Sequence, residues 1–324
     1  MPRKAELRGG LFRHLAALMS LLLVACGPGP SPDAIRMGLA SAPDNLDPRL
    51  ATDASSERIN RLLYDRLVEL DASGMPVPGI ARWERPAPNH YRFFLAPDRR
   101  PFHDGSQLTS ADVKATIDFV LDPKNGSPFR TALALIERIE TPTPEQVDFY
   151  LRRPEPLFPA FLGVGIVPAA AAARGHPFHE RPLGSGPFRF LAWPSTERLQ
   201  LQRLRDGQRF GFIQVKDPSV RIMKLLRGEI DLLQNDLPPE LVDFLDRSPK
   251  VVVERAPGTN FSYIGFNLDD PDTGRLPVRQ AIAHALDRNA IIRYLMRGGA
   301  RPAQSLLPPE HWAGGRGLKP LEYD

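Results

Sequence analysis

The chain has 324 residues, 42% hydrophobic and 25% charged, enough for one large globular domain or two ordinary ones. Most of its net charge of +4 sits at the start: four of 42 basic and one of 38 acidic residues fall in the first 25 positions, leaving 38 against 37. That balance gives no basis for a nucleic-acid partner, and one cysteine leaves no disulfide to form.

Arg3, Lys4, Arg8 and Arg13 precede an uncharged apolar run over residues 15–25. A run of about 11 residues suits a secretory signal and is too short to span a bilayer. It ends in Leu23-Val24-Ala25-Cys26, which resembles the lipobox of bacterial lipoproteins, where the chain is cut before a cysteine whose thiol is acylated. The plainer reading is an ordinary signal with a chance cysteine. Lipidation is favoured because a lone exposed thiol is a liability in an oxidising compartment. Residues 1–25 are therefore expected to be a signal peptide and Cys26 a lipid anchor. Residues 26–34, rich in glycine and proline, form a flexible tether.

Beyond the tether, Ile35, Met37 and Leu39 alternate as a strand that Asn45-Leu46-Asp47-Pro48 breaks. Ser55-Ser56 is expected to cap a helix with Ile59, Leu62, Leu63 and Leu67 on one face. A hairpin follows around Asp71-Ala72-Ser73-Gly74, then a strand through Tyr91, Phe93 and Leu95. Thr109 and Asp112 have capping-box spacing ahead of a helix with Val113, Ile117 and Val120. Val147, Phe149 and Leu151 form a strand, and residues 164–168 a crossover. The turn at residues 183–187 leads into a strand over 188–193. A helix over 219–227 stops at Gly228, a strand follows over 229–233, and another is expected over 261–267. Helices are predicted over 278–285 and, capped by Asp287, through residue 295.

The chemistry-bearing residues are sparse. Gly184-Ser185-Gly186 lacks the flanking residues of a nucleophile elbow and suits a tight turn. His103-Asp104 could do acid–base work, yet such a pair more often sits in a turn where the carboxylate accepts backbone bonds. His176 and His179 are spaced to share a metal on a helix, but Pro177 lies between them and no third ligand is near. No phosphate or dinucleotide loop occurs, so the residues imply no cofactor, no metal and no enzyme.

Five segments in order carry more than any does alone. These are Asn45-Leu46-Asp47-Pro48; Phe102-His103-Asp104-Gly105 with Leu108-Thr109-Ser110-Ala111-Asp112; Leu183-Gly184-Ser185-Gly186-Pro187-Phe188; Leu225-Leu226-Arg227-Gly228-Glu229-Ile230-Asp231; and Val278-Arg279-Gln280-Ala281-Ile282 with Ala285-Leu286-Asp287-Arg288. Together they resemble the family 5 extracellular solute-binding proteins, the peptide and nickel receptors of ABC importers. The resemblance implies an α/β, two-lobed clam-shell of the periplasmic-binding-protein class II type. It places the first lobe over 35–257, with an extra α/β subdomain inserted at 55–168, and the start of a second lobe, shortened at the C-terminus, over 258–324. It places Thr52, Asp53 and Ala54 at the ligand cleft. It implies an exported, lipid-anchored monomer that takes a peptide or small-molecule ligand to permease subunits. A metal chelate, opine or sugar in the same fold, or a shortened homologue that binds nothing, are the alternatives it leaves.

Overall fold

The computed structural model describes residues 34–324 apart from 236, 316 and 320. The predicted signal peptide and Cys26 lie outside the described residues.

β1 (Ala34–Leu39) begins the first sheet and buries Met37 and Leu39. It pairs in parallel with β10 (Arg209–Gln214) on one side and β11 (Leu232–Leu233) on the other. β9 (Arg198–Arg203) and β8 (Phe188–Ser195) extend it antiparallel, giving the order β11-β1-β10-β9-β8. α1 (Ala54–Leu63) lays Ile59 and Leu63 into this core beside Leu46, Leu199, Leu201 and Phe212. The periodicity placed Ile59 and Leu63 on the helix, but it ends at Leu63, where Tyr64 turns to extended backbone, short of the expected Leu67, and Ser55-Ser56 is not its cap. Asp53 is, accepting from the Ser56 amide at 2.8 Å in extended backbone. Its carboxylate also complements the positive end of the helix, which a serine cannot do. The two serines lie buried in the first turn and bond the preceding loop instead.

A second core lies between residues 67 and 166. The hairpin of β2 (Val68–Leu70) and β3 (Pro76–Pro78) leads into a four-stranded antiparallel sheet. Its order is β4 (Ala81–Ala87), β5 (His90–Leu95), β7 (Gln146–Leu151), β6 (Ile136–Thr143). β5 alternates strictly, burying Tyr91, Phe93 and Leu95. α2 (Ser110–Leu121) packs on the sheet with Val113, Ile117 and Val120 inward. At its start Asp112 Oδ2 accepts from the Thr109 amide (2.8 Å) and hydroxyl (2.9 Å), as the spacing predicted. Short helices α3 (Arg130–Leu133) and α4 (Ala169–Ala173) complete the connections. The chain enters and leaves this unit at one place, where Arg66 bridges Gly165. A Cβ on Gly165 would stand 2.6 Å from the Tyr64 Cβ, so only glycine lets the two passes touch.

α5 (Pro218–Leu226) ends as predicted at Gly228, whose φ of 70° is left-handed. After it come α6 (Pro239–Asp246) and α7 (Leu276–His284). No described residue beyond Leu245 is buried. The strand expected over residues 261–267 does not form. A strand is held by hydrogen bonds to a neighbour, and no described strand pairs with this segment. Asp287 caps the following turn as expected, accepting from the Ala290 amide at 2.8 Å.

Candidate functional site

β1 and β10 run parallel, so Leu39 and Gln214 mark the same, carboxyl end of the sheet. Open α/β sheets bind ligands outside that end, where connections diverge. A hollow of about 350 Å³ lies there, lined by Ser41, Asp44, Asp53, Trp193, Thr196 and Gln214 among others.

The loop that forms one wall is held from below. The amides of Asp44 and Asn45 donate to Ser56 Oγ at 2.9 and 3.1 Å. Ser55 Oγ donates to the Ser41 carbonyl at 2.9 Å. Leu46 is fully buried, and its carbonyl accepts from the Tyr64 hydroxyl at 3.0 Å. Asp47 and Arg49 form a buried two-pronged ion pair, with Nε to Oδ1 at 2.9 Å and a terminal guanidinium nitrogen to Oδ2 at 2.7 Å. The Arg49 guanidinium lies 3.7 Å above the Phe119 ring and 4.9 Å from that of Phe178. The turn read from sequence as a strand breaker is thus tied to both cores.

Of the three residues expected at a cleft, Asp53 lines the hollow, while Thr52 and Ala54 are exposed beside it. Asp53 spends Oδ1 on the helix cap, leaving Oδ2 toward other partners. Asp44 is exposed and supplies a second carboxylate. The hydroxyls of Ser41 and Thr196 and the Gln214 amide add neutral donors and acceptors, and Trp193 an aromatic wall. Such a lining suits a polar ligand with a cationic group better than an anion. Trp193, Thr196 and Gln214 were missed from sequence, because they reach the hollow from β8, the turn after it and β10, some 150 residues downstream.

The other candidates resolve as local structure. Asp104 accepts from the amide and hydroxyl of Ser106 at 3.0 and 2.6 Å, and these bonds hold its carboxyl below the usual range despite the opposing pull of desolvation. His176 binds the Arg181 carbonyl at 2.6 Å and His179 lies near Glu180 at 3.6 Å, so the two do not share a centre. Among the described residues, no group of three or more His, Cys, Asp or Glu is placed to hold a metal ion. No described helix is long and apolar enough to cross a membrane.

Residues 46–324 match the family model for bacterial extracellular solute-binding proteins, family 5 Middle. A putative ABC transporter peptide-binding protein of Brucella ovis is 34% identical over 232 residues, covering 66% of this chain and 43% of its own length. The glutathione-binding protein GsiB of Pectobacterium atrosepticum is 26% identical over 311 residues, covering 91% of this chain and 59% of its own. Among solved structures, NikZ from Campylobacter jejuni in complex with Ni(L-His) superposes with a TM-score of 0.78 at 24% identity, covering 91% of this chain and 61% of that one. The chain thus spans about half the length of these relatives. The superposition supports the α/β fold of the solute-binding proteins.

Proposed function

Because the chain belongs to the bacterial extracellular solute-binding proteins of family 5, we propose that it captures a small peptide outside the cytoplasmic membrane and presents it to the permease of an ABC importer. The family is one of binding proteins of such importers, not of enzymes. The observation that carries the reading is the polar hollow at the carboxyl ends of β1 and β10. Its carboxylates suit the ammonium of a peptide, and its neutral groups suit peptide amides, with water filling what the side chains leave.

In this reading Thr52, Asp53 and Ala54 edge the ligand cleft. The five-stranded sheet is the framework of a first lobe over 35–257, and the subdomain expected at 55–168 is inserted in it with its own core over residues 67–166, while α1 packs on the sheet. Residues 258–324 open a second lobe that closes over ligand by hinge motion. Cys26 tethers the monomer to the membrane, which raises its concentration near the permease.

Calorimetry of the mature chain with a panel of di- to tetrapeptides tests the first claim. Heat of binding is expected, and Asp53→Asn, which keeps the helix cap, weakens it by about tenfold, or 1.4 kcal/mol. No heat with any peptide removes the peptide reading, and equal affinities remove Asp53 from the site. For the anchor, Cys26→Ser is expected to move the chain from the membrane fraction to the soluble one; retention in the membrane refutes lipidation.

A further inference from the structure

The turn at Gly184-Ser185-Gly186 is a strap between the two cores. The Gly186 amide donates to the carbonyl of Leu63, the last residue of α1, at 2.9 Å. From the subdomain side, the Arg100 Nε donates to the Ser185 carbonyl at 2.8 Å and the His103 amide to the Gly184 carbonyl at 2.8 Å. The His103 ring closes the clasp, with Nε2 at 3.0 Å from the Gly186 carbonyl. Phe102 beside it is buried in the subdomain core. The fit leaves no slack: a Cβ on Gly184 would stand 2.1 Å from the Leu63 oxygen, and one on Gly186 2.5 Å from that of Leu62.

A carbonyl only accepts, so Nε2 of His103 carries the proton and Nδ1 of the neutral ring is bare. Nδ1 is buried with no hydrogen-bond partner. A second proton there would be enclosed with no acceptor. The charged groups facing the ring are Asp65, Arg100 and Arg189. Asp65 is already engaged by Arg100 at 2.5 Å.

We propose that the His103 clasp on Gly184 and Gly186 is a proton-operated latch, closed when the ring is neutral, between the inserted subdomain and the sheet that carries the hollow. α1 is the connecting lever: its Leu63 end takes the strap, and its Asp53 end lines the hollow. Burial holds the imidazole below its ordinary value. The Gly186 carbonyl and Asp65 pull the other way, and Arg100 and Arg189 add to the lowering. The sign follows by linkage. A histidine whose folded pKa is depressed contributes stability that is full above its unfolded pKa of about 6.5 and is lost as pH falls below it.

His103→Gln keeps a donor near the Nε2 position and cannot titrate. Amide exchange of Gly186, corrected for its intrinsic pH dependence, is expected to lose protection between pH 7.5 and pH 5 (roughly one unit above and below an ordinary histidine) in the wild type and to hold steady in His103→Gln. If the variant does not fold, an NMR titration of the wild-type imidazole decides alone: a midpoint below the ordinary histidine value is expected. Identical exchange profiles in the two proteins, or a His103 midpoint at or above the ordinary value, overturn the latch.

Discussion

Asp47→Ala is expected to destabilise the chain by about 3–5 kcal/mol, because it leaves the Arg49 guanidinium buried without its counter-ion. Both side chains are 7% exposed. Asp47 accepts three bonds from Arg49, from its amide at 3.0 Å, its Nε at 2.9 Å and a terminal nitrogen at 2.7 Å. The arginine cannot swing out to water, since it lies over Phe119 of α2 and beside Phe178, and its carbonyl takes the Ser127 hydroxyl at 2.7 Å. Removing only the acid therefore costs more than removing both charges. The pair Asp47→Leu with Arg49→Met should recover most of the loss, because a well-packed apolar pair replaces a desolvated ionic one at little net cost. Denaturant unfolding checks both. A loss under about 1 kcal/mol for Asp47→Ala would show that water reaches Arg49.

Phe149→Ala is expected to cost a similar ~3–5 kcal/mol, from lost burial and the cavity left behind. Phe149 is fully buried and meets Phe93 edge-on at 5.5 Å and Phe158 at 5.4 Å. Trp83 leans on the same cluster, 5.8 Å from Phe93. Because the two cores are separate clusters joined through a narrow junction, this loss should fall on one of them. Trp83 fluorescence should then report unfolding at lower denaturant than Trp193, which packs on the other core. Variants that keep one tryptophan at a time make the comparison clean. Coincident shifts of both probes would mean that the cores unfold as a single unit.

Local features were legible wherever one stretch of chain decides the outcome. The capping spacing of Thr109 and Asp112, the alternation of Tyr91, Phe93 and Leu95, and the stop at Gly228 each depend on residues within a turn or a strand of one another. Ser55-Ser56 shows where such reasoning slips. A serine and an aspartate both cap helices, and the choice between them turned on which hydroxyls the loop at residues 41–45 required. Among the three residues assigned to the cleft by family resemblance, only Asp53 reaches the lining of the hollow.

By itself the sequence determined most of the elements up to Gly228 and, through the order of five short segments, the family. Those are properties of neighbouring residues, set by backbone propensity, side-chain period and spacing. Only the tertiary structure decided that Asp47 and Arg49 form a buried pair between two cores, that Trp193, Thr196 and Gln214 meet Asp44 and Asp53 across a hollow, and that His103 clasps a glycine strap some 80 residues away. It decided equally that the segment at residues 261–267 pairs with no strand among the described residues. Each of these depends on groups remote in the chain: even Asp47 and Arg49, two residues apart, are enclosed only by Phe119, Ser127 and Phe178, and burial and strand pairing take effect only once the fold brings such groups within a few ångströms.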